Sequence, residues 1–189
     1  MPFIILRTAC RVIITASYIF VLSMAGCKKD DDTKANVFNF DGQTRGLRSA
    51  FLLYSPSPEV SPGSGTPYYQ NVFMLLSAGL TTDGHTMTGQ GNAIALSVYG
   101  ATQDLDIGTY TFTRTESRAE AFAILAGHVQ LDNTDPSASS PGPQVFSFAA
   151  GQMIVARSGG DYTIDIAGTV EGKILKAHFT GMMTILQKN

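Results

Sequence analysis

Apolar and polar residues alternate over 162–170 and again over 173–181, on either side of Glu171-Gly172. Such alternation is typical of strands with one buried face, and a glycine in a two-residue connection supplies the positive φ of a hairpin turn. If residue 170 pairs with residue 173, the numbers of every later pair sum to 343. A slip of one residue would mix the two faces, so the pattern fixes the register. The apolar face then carries Tyr162, Ile164, Ile166, Gly168 and Val170 opposite Gly181, Phe179, Ala177, Leu175 and Lys173.

The opposite face of this predicted hairpin is more polar, and we expect it to face solvent. It places Asp165 beside His178, which gives two members of a hydrolytic triad or an exposed cross-strand pair contributing roughly 0.2–1 kcal/mol. The chain has no G-x-S-x-G elbow, so the cross-strand pair is the preferred interpretation. On the apolar face, the ring of Tyr162 is expected to cover the bare backbone of Gly181.

The rest of the chain from residue 37 consists of short β-rich runs separated by Gly, Pro, Asn, Asp and Ser. Only 116–126 also suits a short helix. The pattern predicts an all-β domain over 37–189, a single antiparallel β-sandwich or barrel of about eight to ten strands. The predicted strands are 37–40, 47–55, 69–76, 93–99, 109–113, 122–131, 145–148, 152–157, 162–170 and 174–186, with long loops at 55–67 and 132–143.

The N-terminus has the three parts of an export signal. Arg7 and Arg11 precede an apolar stretch over 12–24, which is too short to span about 30 Å of hydrocarbon as a helix. Met24-Ala25-Gly26-Cys27 follows and resembles the lipobox of bacterial lipoproteins, although Met24 stands where Leu is usual. The resemblance implies a signal peptide over 1–26, cleavage between Gly26 and Cys27, and a lipid on Cys27 that anchors the protein to a membrane. The alternative is an uncleaved anchor in which Cys27 is an ordinary residue.

The segment that follows, 27–36, is polar and has no apolar periodicity, so we expect a solvated tether. Its charged run Lys28-Lys29-Asp30-Asp31-Asp32 resembles the export signal of surface lipoproteins in Bacteroidota. That resemblance implies the outer membrane with the domain exposed on the cell surface. A plain spacer on a periplasm-facing lipoprotein is the alternative.

Charge and cysteine content exclude several classes of partner and chemistry. Without the two leader arginines, 11 Lys and Arg stand against 15 Asp and Glu, a net charge of −4. An acidic chain without a basic stripe argues against nucleic acid as a partner. The two cysteines are Cys10, in the leader, and Cys27. The mature domain would therefore have no thiol for catalysis, a disulfide or zinc.

Other candidate sites are weak by their spacing. His85, His128 and His178 lie on separate segments without H-E-x-x-H, and 132–135 offers oxygen ligands but not a full calcium-loop pattern. The acids Asp104 with Asp106, and Glu116 with Glu120, suit solvated charge better than a glycosidase pair. The stretch 89–92 suits turn glycines better than a phosphate loop. The sequence therefore predicts no metal, no cofactor and no enzymatic activity.

Tyr68 and Tyr69 follow the first long loop, where tyrosines stack on sugar rings, contact a protein partner, or simply enter the core. Three segments, 108–113, 158–164 and 178–181, occur in an order that resembles small β-rich lipoproteins common in Bacteroidota. The resemblance spans 90–186 and implies an antiparallel sandwich or barrel without assigning a catalytic residue. The leading hypothesis is a non-catalytic surface module that binds a glycan or a protein through loops 55–67 and 132–143. A lipocalin-like carrier of an apolar ligand and a hydrolase with a site assembled from distant acids are the alternatives.

Overall fold

A computed structural model of the chain describes residues 35–60, 65–113, 121–133 and 142–187. Lys34–Asn189 form one structural unit, and all regular structure in the described ranges is β, which confirms the all-β fold class. The predicted signal peptide, Cys27 and most of the predicted tether lie outside the described residues. Those ranges hold no helix of the length and apolar character needed to cross a membrane. The strands are β1 (Val37–Phe40), β2 (Gln43–Gly46), β3 (Ser49–Tyr54), β4 (Glu59–Val60), β5 (Pro67–Leu76), β6 (Leu80–Thr82), β7 (Met87–Gly89), β8 (Ala93–Gly100), β9 (Gly108–Phe112), β10 (Ala123–Asn133), β11 (Gly142–Ser158), β12 (Asp161–Val170), β13 (Lys173–Gly181) and β14 (Met183–Gln187).

Most of these strands belong to one curled sheet that forms a half-barrel, in the order β14-β3-β5-β8-β10-β9-β11-β12-β13-β1-β2. β4 pairs with β5 beside this path, and β6 and β7 form a separate ribbon. Only Met182 separates β13 from β14, and only two residues separate β2 from β3. The chain thus connects strands at or near opposite ends of this order twice, each time within one or two residues. The sheet must curl so that these ends come close together.

The predicted antiparallel sheet of about eight to ten strands is corrected in two respects. Two pairings are parallel, β9 with β10 and β3 with β14. In the first, the first two residues of β10 pair with the last two residues of β9, and the N–H of Thr111 donates to the carbonyl of Phe122 at 2.9 Å. In the second, β3 directly follows β2 and β14 directly follows β13. The strands β2 and β13 lie at or near one end of the sheet order, and β3 and β14 lie at the other. The strands are also more numerous, since short polar runs form β2, β4, β6 and β7.

The C-terminal hairpin has the predicted register, from Val170 with Lys173 to Tyr162 with Gly181. Its predicted apolar face is the buried one, with Ile164 at 0% and Phe179 at 2% exposure. The prediction that the ring of Tyr162 covers Gly181 is wrong, because the side chain nearest to that glycine is Phe179. Tyr162 instead receives the Arg157 guanidinium over its ring at 4.9 Å.

Three predicted strand boundaries also change. The strands expected at 145–148 and 152–157 are one strand, β11, because a bulge at Ala149 bends the chain without ending its pairing. The run 174–186 divides into β13 and β14. The predicted loop 55–67 contains the short strand β4, and its residues 61–64 lie outside the described ranges. The helix considered for 116–126 is wrong over 123–126, where β10 pairs with β8; residues 116–120 lie outside the described ranges.

The inner face of the curled sheet is filled by one apolar cluster with members from most of the long strands. Five aromatic side chains, each at most 2% exposed, are among its largest members. Burying a large apolar side chain stabilises the fold by roughly 1.5–3 kcal/mol, so this cluster is the main source of stability in a domain without disulfides. The five aromatic residues are Phe38, Phe40, Phe73, Tyr110 and Phe179.

Candidate functional site

A groove of about 330 Å³ crosses the outer face of the sheet over β11, β12, β13, β1 and β2. It lies on the polar face that the hairpin pattern predicted to be turned toward solvent. Hydrogen-bonding side chains and apolar side chains share its walls, so it offers both kinds of contact to a ligand. The lining residues are Val37, Asn39, Thr44, Gln152, Ile154, Asp165, Ile166, Ala167, Lys176, Ala177 and His178.

Strand register explains how distant parts of the chain build this groove. One cross-strand row runs from Ile154 through Asp165 and His178 to Val37. The next row on the same face runs from Gln152 through Ala167, Lys176 and Asn39 to Thr44. Alternate residues of a strand share a face, so both rows point outward. Ala167 has the smallest side chain in its row, and it leaves the depression between its longer neighbours.

The predicted pair of Asp165 and His178 is present at the edge of this groove. His178 Nδ1 lies 2.8 Å from Asp165 Oδ1, and the side chains are 15% and 45% exposed, respectively. His178 Nε2 in turn lies 3.3 Å from Thr180 Oγ1, which makes a chain of hydroxyl, imidazole and carboxylate. The pair therefore presents fixed polar groups at the groove edge.

The chain of Thr180, His178 and Asp165 has the order of a nucleophilic triad but not its surroundings. Acyl transfer also needs N–H donors directed at the developing oxyanion. The N–H of Thr180 donates to Asn36 Oδ1 at 2.7 Å, and β13 is paired on both sides by β12 and β1. The backbone donors around Thr180 are thus engaged in holding the sheet together.

Comparison with protein-family models, with curated proteins and with solved structures found no match. The function of this chain therefore has to be inferred from its own side chains.

Lys176 is the one lysine that lines the groove, and it is exposed. Across the described ranges its ammonium group has no ion-pair or hydrogen-bond partner. Asn39 and Gln152 are exposed beside it, and the side-chain amide of Asn39 donates to Thr44 Oγ1 at 3.1 Å. The wall formed by β1 and β2 thus supplies donors and acceptors of neutral charge, and Lys176 adds a single cation.

Tyr68 and Tyr69 lie at the start of β5, outside the groove. Tyr68 is 6% exposed, its ring centroid lies 4.5 Å from that of Tyr99, and its hydroxyl donates to Glu59 Oε2 at 2.9 Å. Burial, with the hydrogen bond to Glu59 as the second cause, raises the pKa of Tyr68 to about 12. Tyr68 thus takes the position that sequence analysis assigned to a strand entering the core. Tyr69 is half-buried and remains the more accessible ring of the two.

Among the other polar candidates from the sequence, Asp106 has a structural role, and Asp83 has one beside the candidate His85. The Asp106 carboxylate accepts hydrogen bonds from the N–H groups of Ala101 and Thr102 and from the Thr102 hydroxyl, at 2.7–3.2 Å, and so closes the turn before β9. Asp83 accepts the N–H groups of His85 and Thr86, and these bonds lower the pKa of its carboxyl group.

Several remaining calcium, carboxylate and loop candidates fall outside the described ranges. Thr134, Asp135, Glu116 and Glu120 lie there, as do most of loop 132–143 and the predicted cleavage site at Gly26 and Cys27. Within the described part of the chain, no three His, Cys, Asp or Glu side chains are grouped as metal ligands.

Sequence analysis identified Asp165 and His178 but missed the rest of the groove. Ile154 is 43% exposed at an outward position of β11, where a polar residue is expected if that face meets only water. Ala167 lies between polar outward residues on β12. An apolar or very small residue at an outward position of a strand was the signal available, but it does not indicate which strands lie side by side.

Proposed function

We propose that this chain is an exported lipoprotein, anchored in the outer membrane through a lipid on Cys27 and exposed on the cell surface. Its β domain acts as a non-catalytic module that binds a glycan or a protein. The groove beside Asp165 and His178 is the observation that carries this proposal. A domain facing the periplasm is the alternative for its location.

The groove supports a glycan more than a protein surface. A sugar ring has apolar faces and a rim of hydroxyl groups, and the groove combines Ala167 and Ile154 with the polar side chains of Asn39, Gln152 and Asp165. Its volume of about 330 Å³ is at the small end of ligand sites, which suits one or two sugar units. A stable protein partner would need about 800 Å² of this face, well beyond the groove.

The interior of the domain gives no support to the alternative of a lipocalin-like carrier. An apolar ligand inside a barrel needs a hollow interior. Here Phe38, Phe73 and Phe179 occupy the space within the curled sheet, each at most 2% exposed. A ligand is better accommodated on the outer face.

A glycan array probed with the purified mature protein tests the binding proposal. Ala167→Phe fills the groove from an exposed position, and Thr169→Phe adds the same ring two residues along the same face but outside the groove. We expect Ala167→Phe to abolish binding and Thr169→Phe to preserve it. A protein captured by the wild type and lost only with Ala167→Phe would shift the ligand class from glycan to protein. Binding unaffected by Ala167→Phe would contradict the groove as the site.

The membrane anchor needs a separate experiment because the groove does not depend on it. Cys27→Ser prevents lipid attachment, and we expect the variant to leave the membrane fraction while the wild type gains a fatty-acyl mass on residue 27. Protease added to intact cells should digest the wild-type domain if it is surface-exposed. Resistance in intact cells with digestion after lysis would place it on the periplasmic side instead.

A further inference from the structure

A second cleft lies at the other end of β2, apart from the groove. Its volume is about 580 Å³, and two arginines, Arg45 and Arg48, stand on one wall. We call it the arginine cleft. The cleft is also lined by residues that follow β5, by residues that connect β7 to β8, and by Asp132 of β10. The remaining lining residues are Gly46, Leu47, Ser77, Ala78, Gln90, Gly91 and Asn92.

Neutral groups accept the side-chain hydrogen bonds of Arg45, and the charge of Asp41 acts on it as well. Its Nη atoms donate to the carbonyls of Phe40 and Gln43, and Nη2 donates to Gln43 Oε1 at 2.6 Å. Its guanidinium lies over the ring of Phe38 at 5.8 Å. Burial lowers the pKa of Arg45, and the negative charge of Asp41 offsets this effect only in part. A partly desolvated cation of this kind attracts an anion strongly.

Arg48 is exposed, and its guanidinium has no hydrogen-bond or ion-pair partner within 35–60, 65–113, 121–133 and 142–187. Its backbone is fixed because its N–H donates to the carbonyl of Leu76 at 2.8 Å. That bond forms where the chain stops pairing with β1 and begins to pair with β5. This change of strand partner places Arg45 and Arg48 at one cleft.

Hydrogen bonds hold the lining residues Ser77 and Asn92 in place. Ser77 is 7% exposed, and its hydroxyl accepts the N–H of Asn92 at 2.7 Å. Asn92 Oδ1 accepts the N–H of Asp132 at 3.1 Å, which leaves its Nδ2 group as a donor without an acceptor among the residues described. Asp132 is the one acidic residue of the lining, and the charge of Asp41, outside the lining, acts on Arg45, so Arg48 and the Asn92 amide are the donors left for a ligand.

We propose that the arginine cleft is a binding site for an oxyanion group, a carboxylate or sulfate carried by a small ligand such as an acidic sugar. Planar guanidinium groups recognise such oxygens with paired hydrogen bonds, and Arg48 is free to form them. The domain has a net negative charge, so attraction of an anion to the cleft would come from the local arginines and not from the overall charge of the domain. It is separate from the groove and does not depend on the proposed function of that groove.

Titration of the full mature chain with sodium glucuronate and with sodium sulfate tests this site. Ionic strength is held constant with sodium chloride, and amide chemical shifts report where each anion binds. We expect saturable shifts at Arg48, Gly91 and Asn92. Arg48→Gln should raise the dissociation constant at least about tenfold, as expected for the loss of a charged hydrogen bond. Arg48 is exposed, so the variant should keep the wild-type unfolding midpoint.

The matched control is Arg157→Gln, which removes one exposed positive charge at the far end of β11. It should change the dissociation constant less than twofold, and Ala167→Phe in the groove should have no effect on it. Preference for glucuronate indicates a carboxylate ligand, and preference for sulfate indicates a sulfated one; either supports the site. Equal weakening by Arg48→Gln and Arg157→Gln, or shifts that rise without saturation, would overturn it.

Discussion

The ring of Phe148 lies against the bare backbone of Gly168. A Cβ atom added to Gly168 would lie 2.5 Å from Phe148 Cζ and 2.5 Å from the carbonyl oxygen of Ala150. Phe148 is 6% exposed and belongs to the main apolar cluster. The absence of a side chain at residue 168 is therefore what allows this ring to close the core beside the β11 bulge.

Gly168→Ala should destabilise the domain by about 1–3 kcal/mol, the range found when extra atoms enter a packed core. Gly160→Ala is the matched control, because nothing lies within 4 Å of its added Cβ and its φ is not positive. Urea unfolding of both variants and the wild type measures the difference. Equal stability of the two variants would show that Phe148 moves aside without cost.

Tyr110 is fully buried, and its hydroxyl has no hydrogen-bond partner among the described residues. Burial raises the pKa of this phenol, in accord with a polar group placed in the core. Leaving such a group unpaired costs about 1–3 kcal/mol, so Tyr110→Phe should keep the packing and raise the free energy of unfolding.

Urea unfolding of Tyr110→Phe against the wild type measures that change. After burial, the negative charge of Asp106 is the second cause that raises the pKa of the hydroxyl. A loss of stability above about 1 kcal/mol would identify Asp106 as a true partner and contradict the unpaired hydroxyl.

His128 provides a test of pH dependence. Burial lowers the pKa of its imidazole below the ordinary value of 6.5, because the charged form is poorly solvated on β10. Below pH 6.5 the unfolded chain binds a proton on this imidazole more readily than the folded chain does. The contribution of neutral His128 to the free energy of unfolding is therefore complete above pH 6.5 and is lost as the pH falls from 6.5 through the lowered pKa of the folded chain.

His128→Gln should therefore lose less stability than the wild type between about pH 7.5 and 5.5, on either side of the ordinary imidazole pKa of about 6.5. The exposed His85→Gln serves as the control variant. Parallel stability curves for His128→Gln and the wild type would show that His128 is not the group responsible.

The C-terminal hairpin was predictable because its information is local. Glu171-Gly172 fixes the turn, both residues have positive φ, and each strand alternates in only one way that buries Ile164 and Phe179 together. The Asp165–His178 pair followed from that register without further information. The turn and the alternation agree, so one register is preferred to its neighbours.

The rest of the site was not predictable because it depends on pairing between distant segments. Val37 lies opposite His178, and Arg48 lies at the end of β5, through pairings that leave no local pattern. The parallel pairs of β9 with β10 and β3 with β14 are also non-local. The bulge at Ala149 resembles a turn in sequence, which explains why β11 was divided in two.

Tyr68 should make the domain sensitive to alkali. Its pKa is raised to about 12 by burial and then by its hydrogen bond to Glu59, and the unfolded value is 10.0. Between these two values the unfolded chain releases a proton that the folded chain retains. This contribution to stability is therefore complete below pH 10 and is lost as the pH rises toward 12.

Tyr68→Phe removes the titrating group and should flatten the fall in unfolding free energy between pH 9 and 11.5, limits that bracket the unfolded tyrosine pKa of about 10. At neutral pH the same variant should lose about 1 kcal/mol, because the 2.9 Å bond to Glu59 disappears. Tyr69→Phe, on the adjacent half-buried residue, is the matched control. If the wild type and Tyr68→Phe lost stability in alkali to the same extent, the titration would belong to another group, and Tyr68 would lie less deeply in the sheet than its contact with Tyr99 indicates.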